Sequence, residues 1–106
     1  MFEIENIQAM LNGGAVDYSI HYRYRMKERN IKQSEVRQAL LAGEIIEEVP
    51  DDEPLPSILV LGYTDTGKPL HIVISVDDYR ICLVTVYVPT LDIWETDYKT
   101  RKVAKV

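Results

Sequence analysis

The chain is short, acidic and almost half apolar, which excludes several classes of protein. Its 106 residues carry a formal net charge of −5 and are 46% hydrophobic. This length and apolar content predict one domain, over residues 1–106, with a single core. Its one cysteine, Cys82, excludes an internal disulfide framework. No apolar run reaches the ~18 residues of a membrane span, and the first residues lack a signal-peptide pattern, so we expect a cytoplasmic protein without membrane contact.

Three helices are predicted in the first part of the chain. Apolar residues at helical spacing place the first and third at residues 2–11 and 33–42, and the second spans residues 18–29, where Asn30 ends it. Asn12-Gly13-Gly14 ends the first helix in a loop, and Asp17 is expected to cap the second. Residues 1–17 are therefore an N-terminal helix and loop, and residues 18–42 contain two helices.

From residue 43 the pattern becomes that of β-strands. Four strands are predicted, at residues 44–49, 57–63, 70–76 and 80–88. Turn residues between the last three strands indicate an antiparallel meander, followed by a C-terminal tail over residues 89–106. We therefore expect an α+β domain, with N-terminal helices packed on one face of a four-stranded antiparallel meander sheet. The central strands are apolar on both faces, so the tail or a second copy of the chain is expected to cover the other face.

Charged residues are segregated along the chain. Residues 18–38 are mainly basic, residues 44–53 contain six acidic residues and no cation, and the segment from residue 98 is basic. If the two basic segments meet in space, they form a positive patch that the negative net charge conceals. The acidic segment is either a solvated connection or a phosphate mimic that shields the basic residues.

The polar residues suit phosphodiester chemistry that needs no metal. The sequence has no metal-binding motif, phosphate loop or dinucleotide fingerprint, so we expect no cofactor and no metal. Cleavage of RNA through its 2′-hydroxyl needs a base, an acid and cations around the phosphate. The candidates for catalysis are His21, Arg25, His71 and Tyr87. The candidates for phosphate or RNA binding are Arg29, Lys99 and Arg101.

Each candidate also has a purely structural interpretation. His21 could be a surface histidine, and Arg25 and Arg29 could pair with acidic residues. His71 lies among apolar residues, where a hydrogen-bonded core histidine is the more common case. A two-residue turn would pair His71 with Val84, whereas a three-residue turn would pair it with Thr85. Only the second register lets His71 and Tyr87 work together.

An ordered series of motifs resembles a known family. The motifs are His21…Arg25-Met26…Arg29-Asn30-Ile31, Gly43-Glu44-Ile45-Ile46-Glu47, Pro50-Asp51-Asp52, Leu61-Gly62, Pro69-Leu70-His71, Thr85-Val86-Tyr87 and Trp94…Arg101-Lys102. Over residues 18–102 this series resembles a family of small bacterial proteins known as domain of unknown function 4258 (DUF4258). The chain departs from the family at Asn30, usually glycine, and at Lys32, usually a serine-like cap. These departures affect a loop and a helix cap, and leave the polar candidates intact.

The family in turn resembles, more distantly, the ribonuclease toxins of the BrnT and RelE type. This resemblance implies N-terminal helices on a small antiparallel sheet, cleavage of RNA without a metal, and an antitoxin partner. It assigns phosphate binding to Arg25, Arg29 and Arg101, and acid–base chemistry to His21 or His71. The leading hypothesis is thus a toxin-like, metal-independent ribonuclease or a degenerate relative of one.

Two other functions stay open. A non-catalytic interaction module, either a homodimer or bound to a partner protein, predicts arginines held in salt bridges and histidines that are buried. The ribonuclease hypothesis instead predicts that His21, Arg25 and the cations of the tail gather in one open cleft. A small-molecule binding domain is a third option, for which the sequence gives no specific sign.

Overall fold

Helices and strands alternate only at the start of the chain, and a sheet of consecutive strands follows. The computed structural model describes residues 2–103. The helices are α1 (Ile4–Asn12), α2 (Ile20–Glu28) and α3 (Gln33–Leu41); the strands are β1 (Val16–Tyr18), β2 (Glu44–Val49), β3 (Ser57–Tyr63), β4 (Pro69–Val76) and β5 (Ile81–Tyr87). The predicted α+β class is confirmed. Within the described residues, no helix has the length and apolar character needed to cross a membrane.

The sheet has five strands and is mixed, so the prediction of a four-stranded, purely antiparallel sheet is wrong in one respect. Its strand order is β1-β5-β4-β3-β2, and β2 to β5 form the expected antiparallel meander. The additional strand, β1, pairs in parallel with β5 at Asp17↔Cys82 and its neighbours. A three-residue strand is too short to produce a recognisable periodicity. Asp17 belongs to this strand and receives two hydrogen bonds from Arg80, at 3.0 and 2.9 Å.

The cap of α2 also differs from the prediction. Ser19, and not Asp17, is the N-cap, because its Oγ accepts a hydrogen bond from the backbone N–H of Tyr22 at 2.9 Å. The same hydroxyl donates to the carbonyl of Val84 at 2.8 Å. Ser19 therefore starts α2 and fixes this helix against β5.

The register between β4 and β5 matches neither of the two predicted registers. Val76 pairs with Ile81, and a bulge on β5 leaves Val84 without a direct partner, so that His71 pairs with Tyr87. A β-bulge adds one residue to one strand of a pair. As directly opposed residues, His71 and Tyr87 share a face of the sheet.

The core lies between the helices and one face of the sheet. Its buried residues come from all three helices, from the loop between α2 and α3, and from β3, β4 and β5: Ile7, Leu11, Tyr22, Ile31, Val36, Ala39, Leu40, Ile58, Val60, Leu70, Ile72, Ile74, Val76, Ile81, Leu83 and Val86. The backbone of α3 approaches β3 so closely that a Cβ at Gly62 would overlap the carbonyl of Ala39. Glycine at this position is therefore required for α3 to reach the sheet.

Part of the opposite face is covered by the tail, one of the two covers that the sequence suggested. Trp94 is buried in this layer and forms an isolated antiparallel bridge with Arg101. The carboxylate of Asp97 accepts hydrogen bonds from the backbone N–H groups of Lys99 and Thr100, at 2.8 and 3.0 Å. The tail is thus an ordered turn that returns across the sheet.

Candidate functional site

His71 is the centre of a hydrogen-bonded chain on the face covered by the tail. It is fully buried, its Nδ1 lies 3.0 Å from the hydroxyl of Tyr87, and its Nε2 lies 2.7 Å from the backbone carbonyl of Tyr98. Because a carbonyl oxygen can only accept, Nε2 must carry the hydrogen of the neutral ring. Nδ1 is then an acceptor, and the hydroxyl of Tyr87 donates to it.

The turn of the tail places the carbonyl of Tyr98 against the imidazole. Tyr98 adopts a left-handed backbone conformation, with φ of 58°, which a bulky side chain rarely takes. Its N–H donates to the carbonyl of Glu95 at 2.9 Å. A strained residue held by its neighbours is a common feature of functional sites.

A charged pair and an aromatic ring extend the chain beyond His71. The ring of Trp94 meets the imidazole edge-on, with centroids 4.5 Å apart, and the guanidinium of Arg101 lies 4.6 Å from the centroid of the Trp94 ring. Arg101 also donates two hydrogen bonds to the carboxylate of Glu47, at 2.7 and 2.9 Å. The four side chains therefore form one contiguous stack, in the order Glu47, Arg101, Trp94 and His71.

Burial sets the protonation states of the histidine–tyrosine pair. Desolvation lowers the pKa of His71, although the carbonyl of Tyr98 and the charge of Glu47 oppose this effect. Desolvation raises the pKa of Tyr87, and the nearby guanidinium groups oppose that effect. At neutral pH the imidazole is uncharged and the phenol keeps its proton, in agreement with the hydrogen-bond directions.

Tyr87 borders an open groove of about 370 Å³. Its lining residues are Arg29, Tyr87, Val88, Thr90, Ile93 and Trp94. We call this cavity the Tyr87 groove. It brings a cationic side chain, a phenol and apolar walls together beside the buried histidine.

Arg29 reaches the groove because β1 is short. The pairing of β1 with β5 ends at Leu83, so the edge of β5 beyond it has no neighbouring strand in the described part of the chain. Arg29, which caps the C-terminus of α2, donates from Nη1 to the carbonyl of Val86 on this edge at 2.7 Å. A guanidinium has five N–H donors, so one such bond leaves others for an anion. Arg29 takes part in no ion pair within residues 2–103.

The seven candidates from the sequence fall into separate groups. Arg29, His71, Tyr87 and Arg101 lie at or beside the Tyr87 groove. Lys99 instead lies on an exposed surface, where its ammonium group pairs with Glu44 at 2.7 Å.

The other two candidates, His21 and Arg25, lie together on α2 and do not line the Tyr87 groove. The structure therefore does not gather His21, Arg25 and the tail cations in one cleft, which is what the ribonuclease hypothesis predicts from the sequence. Nε of Arg25 is 3.4 Å from Nε2 of His21, and Arg25 forms an ion pair with Glu28 at 2.8 Å. The side chain of His21 is exposed. The ion pairs of Arg25, Lys99 and Arg101 use helix and strand carboxylates, and none of them involves the acidic loop at residues 51–53.

Three contributors to the site were not assigned to it from the sequence. Tyr98 acts through its backbone carbonyl, which leaves no signal in a side-chain pattern. Glu47 looks like one of several acidic residues in β2, and Trp94 is part of the motif series without a role in the predicted chemistry. Within the described residues, no group of three or more His, Cys, Asp or Glu side chains converges as metal ligands would.

These observations define a small α+β protein in which a buried histidine is hydrogen-bonded to a half-buried tyrosine, beside a groove that Arg29 lines. The family model described as "Domain of unknown function (DUF4258)" matches residues 18–88, and the chain belongs to that family. The match runs from the end of β1 past β5 and includes Arg29, His71 and Tyr87. No curated protein and no solved structure matches the chain.

Proposed function

We propose that this protein is a toxin-like ribonuclease that cleaves RNA without a metal at the Tyr87 groove. The observation that carries the proposal is the hydrogen-bonded chain from Tyr98 through His71 to Tyr87, which ends beside Arg29 in the groove. Such a chain can move a proton between an open groove and a buried base. The guanidinium supplies positive charge for a phosphate.

In this mechanism the 2′-hydroxyl of a bound RNA attacks the adjacent phosphorus atom. Its proton passes to the oxygen of Tyr87 while the proton of Tyr87 passes to Nδ1 of His71. The imidazolium that forms is stabilised by the carbonyl of Tyr98 and the charge of Glu47. Return of the proton along the same path to the departing 5′-oxygen gives a 5′-hydroxyl and a 2′,3′-cyclic phosphate, and it restores the neutral histidine.

The other residues of the groove position the RNA. Arg29 donates to the non-bridging oxygens of the phosphate, whose charge increases in the transition state. Val88 and Ile93 are 39% and 54% exposed, and they offer apolar surface against which a base can pack. Arg101 adds positive charge near Tyr87.

The remaining candidates extend the RNA-binding surface in this proposal. His21 and Arg25 precede Arg29 at four-residue intervals on α2, so an RNA backbone that leaves the groove along this helix would meet them. Lys99 supplies a further contact from the tail. The proposed likeness to toxins of the BrnT and RelE type adds a cytoplasmic location and a neutralising antitoxin.

The test is cleavage of a labelled RNA oligonucleotide by the purified protein in the presence of EDTA. Wild type is expected to cut the RNA. Tyr87→Phe and Arg29→Ala should each reduce the cleavage rate at least about 100-fold, because the first removes a proton-transfer group and the second removes a donor to the transition state. Two matched controls make the same changes elsewhere. Tyr79→Phe alters a tyrosine that is 82% exposed, and Arg23→Ala alters an exposed arginine on the same helix as Arg29.

Both controls are expected to cleave at the wild-type rate. RNA that stays intact with wild type would contradict the proposal. Cleavage that survives in Tyr87→Phe would place the reaction elsewhere on the protein.

A non-catalytic interaction module is the second candidate, because three of the predicted cations are already neutralised. Arg25, Lys99 and Arg101 pair with Glu28, Glu44 and Glu47. In this case the protein would form a homodimer or bind a partner protein. Light scattering over a range of concentrations measures the mass, and a dimer together with intact RNA would favour this second function.

A further inference from the structure

A second groove lies at the opposite end of the β4–β5 hairpin from the Tyr87 groove. It has a volume of about 460 Å³ and lies between α1, the segment before β3 and the turn after β4. Val76, in its lining, is five residues along β4 from His71, which corresponds to roughly 17 Å of extended strand. The two grooves are therefore separate sites. We call this one the α1 groove.

The floor of the α1 groove is apolar and continuous with the core. Ile7 and Val76 are 1% and 6% exposed, whereas Phe2 and Met10 are partly buried and pack against the core from its edge. Leu55 is 36% exposed on the opposite wall. The apolar surface and the volume fall within the range of pockets that take ligand-sized groups or side chains.

The rim of the same groove is acidic. Glu3, Asp77 and Asp78 line it, and no lysine or arginine among residues 2–103 does. The carboxylate of Asp77 accepts hydrogen bonds from two backbone N–H groups of its own turn, which lower the pKa of Asp77 and keep it ionised. The nearest cation in sequence, Arg80, forms its ion pair with Asp17, although its charge also helps to lower the pKa of Asp77.

The acidic segment before β3 adds to this charge. Asp51, Asp52 and Glu53 immediately precede Leu55 in the wall of the groove. Within residues 2–103, neither these three residues nor the three acidic residues of the rim form an ion pair. Among the described residues, every charged side chain that lines this apolar cleft is acidic, which repels phosphates and favours an apolar ligand that carries positive charge.

We propose that the α1 groove docks an amphipathic peptide segment of a partner protein, with lysine or arginine beside leucine-sized side chains. The apolar side chains occupy the floor formed by Ile7, Met10 and Val76, and the cations face Glu3 and Asp78. Helix-in-groove recognition of this kind uses apolar anchors for affinity and flanking charges for specificity. The docking site is independent of the proposed ribonuclease activity, because it shares no residue with the Tyr87 groove.

The experiment measures binding of a fluorescent leucine–lysine amphipathic peptide to the whole protein by anisotropy. Two matched peptides replace every lysine by glutamine or by glutamate. We expect the lysine peptide to bind most tightly and the glutamate peptide to bind least, with an advantage for the lysine peptide that shrinks as salt is added. Amide NMR of the wild-type complex is expected to show its largest shifts at Phe2, Met10, Leu55 and Val76.

Charge reversal locates the site. The double variant Glu3→Lys/Asp78→Lys should weaken the lysine peptide by about tenfold, on the scale of two exposed charge pairs. The control Asp65→Lys/Asp92→Lys reverses two exposed charges outside this groove and should bind as wild type does. Equal affinity for all three peptides, equal weakening by both double variants, or NMR shifts centred away from the α1 groove would each overturn the proposal.

Discussion

Removal of the Tyr87 hydroxyl tests the hydrogen-bonded chain that orients His71. Tyr87→Phe keeps the aromatic ring, whose centroid lies 5.1 Å from that of His71, and removes only the oxygen that donates to Nδ1. The imidazole is fully buried, so Nδ1 loses its protein partner in the variant. A buried acceptor without a partner costs about 1–3 kcal/mol.

The expected loss lies in the lower part of that range. Tyr87 borders an open groove, through which water can partly replace the hydroxyl. We therefore expect the free energy of unfolding to fall by about 1–2 kcal/mol, equivalent to a decrease in Tm of roughly 5–15 °C for a domain of this size. Urea and thermal unfolding followed by circular dichroism measure both quantities.

Tyr79→Phe is the matched control, because it removes the same atom from a side chain that is 82% exposed. Its free energy of unfolding should stay within about 0.5 kcal/mol of wild type. Nitrogen NMR of the imidazole should show a protonated Nε2 and an unprotonated Nδ1 in the wild-type protein. Equal stability of the two variants, or a ring protonated at Nδ1 alone, would refute the hydrogen-bond directions.

Three further predictions concern the close approach of α3, the titration of the buried ring and the ion pair of the tail. Gly62→Ala should cost about 3 kcal/mol or more of stability in urea unfolding, because its Cβ would overlap the carbonyl of Ala39. Burial lowers the pKa of His71 in the folded state below its unfolded value of about 6.5, so the unfolded chain binds the proton more tightly. The free energy of unfolding should therefore fall as the pH drops below about 6.5. Urea unfolding at several pH values should show this loss in wild type, and His71→Gln should lack it. Arg101→Gln removes a positive charge near Tyr87, so anisotropy should show weaker binding of a 2′-deoxy-substituted RNA. Because the ion pair that it breaks with Glu47 is exposed, the free energy of unfolding should change by less than about 1 kcal/mol.

Most of the helices and main strands were predictable because they follow a regular pattern of apolar residues; α2, which is mainly basic and aromatic, is the exception. The spans of β2 and β3 match the predicted ones, and the three helices differ from theirs by at most two residues at either end. In contrast, β1 has only three residues and pairs with a strand more than sixty positions away. Local periodicity contains no information about such a pair.

The candidate site was predictable only in part, for a similar reason. His71 and Tyr87 stood out as polar residues in apolar strands, but the turn at Asp77 and the bulge at Val84 decide how they pair. The carbonyl of Tyr98 belongs to a backbone conformation that the side-chain pattern does not encode. The partners of the cations depend on how the tail crosses β2, which is a property of the folded chain.

The chemistry of the RNA ends tests the central claim most directly. The measurement uses an RNA cut by the wild-type protein in EDTA, together with the same RNA carrying a single 2′-deoxy nucleotide at the cut site. Attack by the 2′-hydroxyl through Tyr87 and His71 predicts a 2′,3′-cyclic phosphate and a 5′-hydroxyl from the first RNA, and no cut at the substituted position in the second. A 5′-phosphate product, or cleavage at the 2′-deoxy position, would contradict the account.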